Sequence, residues 1–478
     1  GEEGAGGETP LLTPAVLSVQ GRLHHVQPLY LSEPAPNFVR AAVEAALEVH
    51  ASEGPGDVLI FLPGQEEIEA AVQMLGEEAD AMGRGEQRLI ALPLYAGLNP
   101  AAQMDAFRPP PRGARKVVVA TSVAETSVTI EGIVYVIDSC FVKQKCFDPR
   151  RDLESLVTTP VTQASARQRA GRAGRVRPGK CLRLCTEEAF AALEPFPVPE
   201  MQRSDLASVV LQLKALGIDN IMTFDFLAPP PAEIMLRALE ELYALGALDE
   251  HAKLTNPTGV HMAELPMEPM LAKALLVSGE LGCAEEMLTV AAAMQVQSLF
   301  ESCPRGKRRE WDEERLRFAV SEGDHLSGLN VYASFEASKR SPRWCAQHFV
   351  SHRALVRVAD VRAQLTRHLT RAGIPIRSCK EDTEPVRKAL VAGYFVHAAK
   401  LIRGSEGTPE GAAYEGMRGG GRLFIHPSSV LFRCRPPWII FGSAVHTQKE
   451  YLRDVCAISP EWLVDFGGHF FEKKQPNA

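Results

Sequence analysis

The first part of the chain repeats one pattern, in which a short and continuously apolar run precedes a segment with helical periodicity. The clearest example is DVLIFLPG at residues 57–64, which ends at Pro-Gly and leads into QEEIEAAVQML. Similar runs follow at LIALPLY, KVVVAT, IVYVID and KCLRLC. Strands that are apolar on both faces and alternate with helices predict a parallel sheet covered on two sides. We therefore predict an α/β domain over residues 27–185.

Residues 141–161 interrupt this repeat with two runs of roughly alternating pattern. The runs are separated by Asp148-Pro149-Arg150-Arg151, which is a turn sequence. Alternation on both sides of a turn predicts a β-hairpin, and we interpret it as a projecting one. A simple surface ribbon is an equally good interpretation of these residues alone.

Beyond residue 185 the pattern becomes helical. SDLASVVLQLKALGI and PAEIMLRALEELYALGAL are amphipathic and precede the short polar stretch LDEHAKLT, which fits a winged-helix module over residues 186–253. Residues 254–370 have helical periodicity almost throughout, so we predict a helix bundle whose Met and Leu stripes form its core. Residues 371–478 contain a glycine-rich loop at 404–421 and the alternating runs RLFIHPSSVLF, PWIIFGSAV and DVCAISPEWL. These spacings fit a small five-stranded barrel of the oligonucleotide-binding type.

Composition narrows the possible functions. The net charge of -7 argues against a protein that coats nucleic acid with a globally basic surface, so any contact with RNA has to come from local basic faces and backbone amides. The ten cysteines include no C-x-x-C pair, which argues against a zinc site or a disulfide framework and favours a reducing compartment. No apolar run reaches the length of a membrane span.

The segment at residues 163–180, QASARQRAGRAGRVRPGK, departs most from this average, because it has five arginines, one lysine and no acidic residue. If it is helical to about residue 172, then Gln168, Arg172 and Arg175 share one face and Arg169 points elsewhere. Guanidinium forks suit phosphate oxygens, so the segment predicts a clamp for a phosphoryl group. A solvated basic helix is the alternative, but it would not need two glycines that each cost about 1 kcal/mol of helix propensity.

QRAGRAGR resembles motif VI of the DEAH-box RNA helicases within helicase superfamily 2. In that family the glutamine and the last two arginines reach the phosphates of ATP, the arginines as arginine fingers. The resemblance therefore implies catalytic roles for Gln168, Arg172 and Arg175.

ATSVAETSVTIEG at residues 120–132 is rich in hydroxyl groups, which can bond phosphates through short side chains. It resembles motif V of the same family. The resemblance implies that Thr121 contacts the RNA backbone, that Ser127 senses the γ-phosphate, and that Thr129 with Glu131 lies at the ribose of ATP. The family has aspartate where this chain has Glu131, so the ribose contact differs here. The resemblance also implies RNA contacts for Thr126 and for Gly64 of the motif IV-like FLPGQEE.

PLYAGLNPAAQMDAFRPPP at residues 93–111 resembles the segment that follows motif IV. In the family an aromatic ring at the position of Phe107 stacks on the adenine of ATP, and stacking tolerates any base because each base offers a π face. Phe107 also ends an amphipathic segment, so an ordinary core position is the alternative. We favour stacking because PPPRG follows and no core strand begins before Lys116.

The resemblance extends over nearly the whole chain, since VPEMQRSDLASVVLQLKALGIDN, EGDHLSGLNVY, WCAQHF and HPSSVL are similar to landmarks of spliceosomal DEAH-box helicases. It implies a RecA-like parallel-sheet domain over residues 27–185, followed by winged-helix, helical-bundle (ratchet) and OB-fold modules with the bounds given above. Residues 1–26 are then expected to be a linker from a first RecA-like domain.

The sequence contains no G-x-x-x-x-G-K-[ST] and no Asp-Glu-Ala-His, which in the family bind phosphate and Mg²⁺. We therefore expect ATP to be shared with a first RecA-like domain upstream of Gly1, which would hold most of the Mg²⁺ coordination. This chain alone is expected not to turn over ATP.

The implied function is ATP-dependent RNA unwinding or translocation, with RNA, the first RecA-like domain, a G-patch activator protein and the spliceosome as partners. No membrane association is expected, and the nucleus is the expected location, with the cytoplasm as the alternative. Two other classes of protein are weighed against this function. The first is a non-catalytic RNA-binding or scaffold remnant of a helicase. The second is a DNA helicase, which the C-terminal modules disfavour.

Overall fold

The computed structural model describes residues 15, 17, 24–81, 87–98, 100–126, 128–150, 153–296, 298–301, 303, 306–405, 412–418, 421–446, 449–468 and 470–471. The chain forms two compact units. The first unit comprises Gly1–Val142 and Pro160–Pro197, and the second comprises Lys143–Thr159 and Val198–Ala478. Most of the linker predicted at residues 1–26 and part of the loop at 404–421 lie outside the described residues.

Secondary-structure elements are numbered along the chain. The strands are β1 (Val26–Tyr30), β2 (Asp57–Phe61), β3 (Arg88–Leu94), β4 (Ala114–Ala120), β5 (Ile133–Asp138), β6 (Phe141–Asp148), β7 (Leu153–Pro160), β8 (Gly179–Arg183), β9 (Ala398–Leu401), β10 (Ala413–Gly416), β11 (Arg422–Ile425), β12 (Trp438–His446) and β13 (Glu450–Ala457). The helices are α1 (Phe38–Ser52), α2 (Gln65–Ala81), α3 (Pro100–Phe107), α4 (Gln163–Ala170), α5 (Glu187–Ala191), α6 (Ala207–Ala215), α7 (Ala232–Ala244), α8 (Thr258–Glu264), α9 (Pro269–Val277), α10 (Ala284–Met294), α11 (Arg308–Leu316), α12 (Asp324–Ala337), α13 (Pro342–Gln347), α14 (His352–Arg371), α15 (Glu384–Tyr394) and α16 (Pro460–Gly467).

The first unit is built on a parallel sheet whose strand order, over the described residues, is β1-β8-β5-β2-β4-β3. All five apolar runs that the sequence singled out form strands of this sheet. Its centre is β2, where Leu59 aligns with Val118 of β4 on one side and with Val136 of β5 on the other. The predicted parallel α/β sheet is therefore confirmed.

Alternate side chains of β2 enter two different hydrophobic cores, as expected for a sheet covered on both faces. Val58 and Ile60 pack in one core with residues of α1 and α2. Leu59 and Phe61 pack in the other, which includes Ala106 of α3, Ala170 of α4 and residues of the loop after β4. The sheet thus holds that loop and α4 against the same face.

The second unit begins with the hairpin of β6 and β7, which pair as a two-stranded sheet. The hairpin predicted at residues 141–161 is therefore present. Helices α6 and α7 follow, and Leu248 and Leu254 form an antiparallel bridge just after α7. Two helices and a small ribbon match the pattern predicted for a winged-helix module.

Helices α8–α14 occupy most of the range in which the sequence predicts a bundle, and their apolar residues share one core with α6, α7 and α15. Helices α15 and α9 approach each other closely at Gly393 of α15. A Cβ atom there would lie 2.1 Å from the carbonyl oxygen of Met270 in α9, so only glycine fits at this crossing. The Met and Leu stripes therefore serve the core, as predicted.

Strands β9–β13 close into a barrel in the order β10-β11-β13-β12-β9 among the residues that the structure describes. Its interior is filled by Tyr414, Leu423, Ile439, Leu452 and other apolar residues. Asp324 at the start of α12 ties two segments of this region together, since its carboxylate accepts backbone hydrogen bonds from Val430 and Val455 at 2.9 Å each. The predicted five-stranded barrel is confirmed.

Candidate functional site

The candidate site lies at the carboxyl edge of the parallel sheet, where β4 ends. Thr121 follows this strand, and its backbone N–H donates to the carbonyl of Leu94 at the end of β3, at 3.2 Å. Its own carbonyl accepts a hydrogen bond from Ala124 at 3.2 Å. The start of the loop at residues 121–132, hereafter the hydroxyl-rich loop, is thereby fixed to the edge of the sheet. Ligands of parallel sheets bind at this edge, which is where the sequence places Thr121.

Two of the predicted arginines contact the hydroxyl-rich loop. Arg172 donates from Nη1 to the carbonyl of Val128 at 2.9 Å and from Nη2 to the carbonyl of Glu125. Arg175 donates from Nη1 to Oγ1 of Thr129. The structure therefore brings together Arg172, Arg175 and Thr129, which the sequence had assigned to one nucleotide site from two separate motifs.

The electrostatics of this pair favour an anion. Arg172 is half-buried and Arg175 is exposed. Burial, and then the positive charge of Arg175, lowers the pKa of the Arg172 guanidinium. Two cations that disfavour each other are stabilised by a shared anion, and phosphate oxygens match the geometry of the guanidinium fork. The arrangement can thus hold a phosphoryl group beside the hydroxyl-rich loop.

The helix that precedes these arginines is shorter than predicted. Helix α4 begins after Thr162, whose side chain accepts a hydrogen bond from Ser165 N at 3.3 Å, and it ends at Ala170 rather than near residue 172. Arg172 and Arg175 therefore lie in turns and do not extend a helical face with Gln168, which is exposed on α4.

Gly174 explains part of this difference. A Cβ atom at this position would lie 2.6 Å from the carbonyl oxygen of His24. The backbone N–H of His24 also donates to the Gly174 carbonyl at 2.8 Å. The second glycine of the pair is thus required by close packing against the segment before β1, and the turn replaces a further helical turn.

The sequence interpretation missed the contacts that Arg169 makes within the site. Arg169 is only 1% exposed, and it donates from Nε to Glu125 at 3.0 Å and from Nη1 to Asp138 at 2.8 Å. Burial works to lower the pKa of Arg169, but the carboxylates of Asp138 and Glu125 outweigh it and raise that pKa. Its guanidinium also lies 5.0 Å from the centre of the Phe61 ring. We refer to Arg169, Glu125 and Asp138 as the buried ion cluster.

The buried ion cluster connects three parts of the site. Glu125 belongs to the hydroxyl-rich loop, Asp138 ends β5, and Arg169 belongs to α4. Glu125 also accepts a hydrogen bond from the Ser165 hydroxyl at 2.6 Å, which adds a second bond between the loop and α4. The loop is consequently held by two sets of contacts. One is the buried ion cluster, and the other is formed by Arg172 and Arg175. The arginine-rich segment has no acidic residue of its own, so a buried arginine in it needs carboxylate partners from elsewhere in the chain. The acidic residues Glu125 and Asp138 were the sequence feature that could have indicated this pairing.

The other predicted site residues are more dispersed. Gly64 is buried directly before α2, and its carbonyl accepts a hydrogen bond from Ile68 at 3.1 Å in the first turn of that helix. Phe107 is half-buried at the end of α3 and packs against the core that contains Phe61. Three of the predicted residues on the hydroxyl-rich loop are exposed, namely Thr126, Thr129 and Glu131. Ser127 lies outside the described residues.

The hairpin of β6 and β7 is anchored within the second unit. Phe147 packs against the core of that unit, and its backbone N–H donates to the carbonyl of Arg203 at 2.7 Å. Arg203 donates in return to the carbonyl of Lys145 at 2.8 Å. At the turn, Arg237 of α7 donates from Nε to the carbonyl of Pro149 at 2.8 Å. Within its own unit the hairpin is therefore held through β6 and at its turn.

Family comparisons agree with this architecture. Residues 41–177 match the family described as helicase conserved C-terminal domain. Residues 238–267 and 268–327 match the winged-helix and ratchet-like parts of the helicase associated domain (HA2). Residues 386–470 match the oligonucleotide/oligosaccharide-binding (OB)-fold family. The fold class is thus a RecA-like domain followed by winged-helix, ratchet and OB-fold modules, which is the architecture of a helicase.

Individual relatives narrow the class further. The chain is 48% identical over 464 residues to proteins named probable ATP-dependent RNA helicase DHX35 from Pongo abelii and Homo sapiens. It is 44% identical over 463 residues to the pre-mRNA-splicing factor ATP-dependent RNA helicase prp22 of Schizosaccharomyces pombe. The alignments cover 96% of this chain for both DHX35 proteins and 97% for prp22, but 63%, 65% and 39% of the respective relatives. The chain belongs to the DEAH-box RNA helicase family and corresponds to its C-terminal portion.

Each helix within the described residues is too short or too polar to span a membrane. Within the same part of the chain, no group of three or more His, Cys, Asp or Glu side chains could hold a metal ion.

Proposed function

We propose that this chain acts as the second RecA-like half of an ATP-dependent RNA helicase, together with the C-terminal modules of that enzyme. The observation that supports the proposal is the convergence of Arg172 and Arg175 on the hydroxyl-rich loop at the carboxyl edge of the sheet. This convergence joins the segment expected to bind phosphate to the segment expected to contact both ATP and RNA.

At the nucleotide, Arg172 and Arg175 stabilise negative charge that develops on the γ-phosphate during hydrolysis. A guanidinium has five N–H donors, so Arg172 can keep its bonds to Glu125 and Val128 and still donate to phosphate oxygens. The loop and the arginine then move as one body, because each fixes the other. Gln168 and Ser127 are further phosphate contacts in this proposal, which rest on the resemblance in sequence.

The other nucleotide contacts are made at the base and the sugar. Phe107 offers a ring for the adenine, and Thr129 with Glu131 faces the ribose. The hydroxyl of Thr129 has two functions in this proposal, since it also accepts the hydrogen bond from Arg175. A ribose hydroxyl bound there therefore competes with, or reorients, one of the two phosphate-binding arginines.

On the RNA side, Thr121, Thr126 and the backbone of Gly64 contact the sugar-phosphate chain. Contacts of this kind position a strand without selecting its sequence. Since Thr121 and Glu125 begin the same short loop, a change at the phosphates can be passed to the RNA through the hydroxyl-rich loop. That coupling is what a motor that steps along RNA requires.

ATP and Mg²⁺ are shared, in this proposal, with a first RecA-like domain that supplies the phosphate loop and most of the metal ligands. One relative is named as a pre-mRNA-splicing factor, which supports a role in splicing and a nuclear location. The spliceosome and a G-patch activator protein are the partners that we propose on this basis.

The decisive experiment mixes this chain with the first RecA-like domain of a DHX35 relative as a separate polypeptide. We expect RNA-stimulated ATP hydrolysis from the mixture and its loss in Arg175→Ala. Arg167→Ala is the matched control, since Arg167 is an exposed arginine on α4 outside the proposed site. Hydrolysis that is insensitive to Arg175→Ala would refute the site. RNA binding without any hydrolysis in the mixture would favour the non-catalytic scaffold.

A further inference from the structure

A pair of cysteines lies directly beside the buried ion cluster. The Sγ atoms of Cys140 and Cys185 are 3.5 Å apart and share a hydrogen bond. Cys140 is 4% exposed, whereas Cys185 is half-buried. All ten cysteines are free thiols.

The strand register explains why the two thiols meet. Asp138 of β5 is aligned with Arg183 of β8, and the N–H of Leu184 donates to the Asp138 carbonyl at 2.9 Å. Cys140 and Cys185 each lie two residues beyond the aligned pair, so they are neighbours on adjacent parallel segments. Neighbouring strands are about 4.8 Å apart, which lies within the range of roughly 4.4–6.8 Å between the Cα atoms of disulfide-bonded cysteines.

The backbone of Cys140 is held in a position that presents its side chain to Cys185. Cys140 has a φ of 61°, in the left-handed region that residues other than glycine seldom occupy. Its N–H donates to Asp138 Oδ1 at 2.9 Å, and its carbonyl accepts from Val161 at 2.9 Å. A residue in this conformation whose backbone is bonded on both sides is well ordered before any reaction occurs.

We propose that Cys140 and Cys185 are an oxidation site that forms a reversible intramolecular disulfide when the protein meets a peroxide. The Cys185 thiolate attacks one peroxide oxygen, which gives a sulfenic acid and releases hydroxide or water. The Cys140 sulfur then attacks the sulfenic sulfur, the S–S bond forms, and a second water leaves. The two sulfur atoms together lose two electrons, which reduce the peroxide, and a dithiol reductant reverses the reaction.

The assignment of roles to the two thiols follows from their surroundings. The hydrogen bond from Cys140 lowers the pKa of the Cys185 thiol, whereas the same hydrogen bond and burial raise the pKa of Cys140. Cys185 is also the more accessible of the two. Thiolate character and access both favour Cys185 as the first nucleophile and leave Cys140 as the resolving thiol.

The location gives the modification a consequence within the site. The carboxylate oxygen of Asp138 that accepts from the Cys140 backbone is the one that binds Arg169. A crosslink at Cys140 therefore restrains the residue next to the buried ion cluster, which supports the hydroxyl-rich loop.

The test uses the full 478-residue chain, reduced and then titrated with hydrogen peroxide. Remaining thiols are blocked with N-ethylmaleimide, and the protein is digested without reductant for peptide mass mapping. We expect one crosslinked peptide pair that contains Cys140 and Cys185, a mass loss of two hydrogen atoms, and disappearance of the pair after dithiothreitol. Cys434→Ser, which removes an exposed cysteine, is the control and should leave the crosslink unchanged.

Cys185→Ser should abolish the crosslink, and so should Cys140→Ser. The Cys185 variant is sufficient if replacement of the buried Cys140 prevents folding, because Cys185 is only half-buried. The proposal is overturned if both thiols remain alkylatable at a peroxide concentration that oxidises Cys434. It is equally overturned if Cys185 passes to sulfinic acid without a crosslink, or if it pairs with a different cysteine.

Discussion

Nη1 of Arg169 lies 2.8 Å from Oδ1 of Asp138, and both side chains are almost completely excluded from solvent. The same guanidinium bonds to Glu125 at 3.0 Å, so a single side chain in α4 fixes the end of β5 and the hydroxyl-rich loop. Asp138 Oδ2, by contrast, is buried without a hydrogen-bond partner in the described structure. The carboxylate is therefore strongly dependent on Arg169 for its stabilisation.

Arg169→Ala is predicted to destabilise the first unit by about 3–5 kcal/mol, because removal of one partner leaves buried, uncompensated charge. The measurement is chemical denaturation of the purified chain, followed by a signal from the first unit. The exposed Arg167→Ala serves as the matched control and should change stability by less than about 0.5 kcal/mol. Equal stabilities of the two variants would show that the buried ion cluster contributes nothing to the fold.

Arg172→Ala and Arg175→Ala are predicted to act on catalysis instead. In a helicase that contains both RecA-like domains, each should lower the ATPase rate by about two orders of magnitude or more, since arginine fingers contribute about 10³–10⁵ in rate. RNA affinity should change little, because neither residue is proposed to contact RNA. The check is steady-state ATPase at saturating RNA together with RNA binding by fluorescence anisotropy. Near-normal turnover in both variants would contradict the proposed clamp.

Much of this fold follows from local sequence, and the exceptions have physical causes. Continuous apolar runs such as the one that follows Asp57 in β2 predict buried parallel strands, because a strand covered on both faces carries apolar side chains on both. The role of Arg169 could not be predicted in this way, because its partners lie 44 and 31 residues away in sequence. The early end of α4 depends likewise on contact between Gly174 and His24, which only the folded chain creates.

The thiol pair is a further example of this limit. Cysteine spacing in the sequence shows no C-x-x-C and predicts no pairing, and Cys140 and Cys185 are 45 residues apart. They meet because β5 and β8 are neighbours in the sheet although they are not consecutive in the chain. Strand order is a property of the whole domain, so no local pattern encodes it.

The anchored hairpin leads to a prediction that distinguishes duplex unwinding from ATP hydrolysis. Arg237→Ala removes the hydrogen bond to the Pro149 carbonyl at the turn and should loosen the tip while Phe147 keeps the strands packed. If the hairpin separates strands, we expect duplex unwinding to fall severalfold while RNA-stimulated ATP hydrolysis is retained. A strand-displacement assay and an ATPase assay on the same two-domain helicase distinguish these activities.

A matched control for this variant is Arg40→Ala, which removes an exposed arginine on α1 that pairs only with Glu44 one turn away in the described structure. Unwinding by that variant should be normal. If Arg237→Ala also unwinds normally, and replacement of residues 143–154 by a two-residue turn does so too, the hairpin is a surface ribbon without a role in strand separation.

His325, next to Asp324 at the start of α12, is a buried group expected to make the stability of the second unit depend on pH. Neither of its ring nitrogens has a hydrogen-bond partner among the described residues. Burial lowers the pKa of His325 to about 4, although the carboxylate of Asp324 acts in the opposite direction. Burial also raises the pKa of Asp324, whose charged form is stabilised by the backbone N–H groups of Val455 and Val430.

A folded-state pKa of about 4, below the ordinary value of 6.5, means that the unfolded chain binds a proton before the folded chain does. The stability contributed by neutral His325 is therefore complete above pH 6.5 and is lost as the pH falls from there towards 4. The loss amounts to at most about 3 kcal/mol, and protonation of Asp324 works against it. His325→Leu should consequently flatten the fall in unfolding free energy over this pH window, as measured by denaturant titrations at several pH values. The exposed His251→Gln should keep the slope of the unmodified chain, and a His325→Leu slope that also matches it would show that this imidazole does not control acid stability.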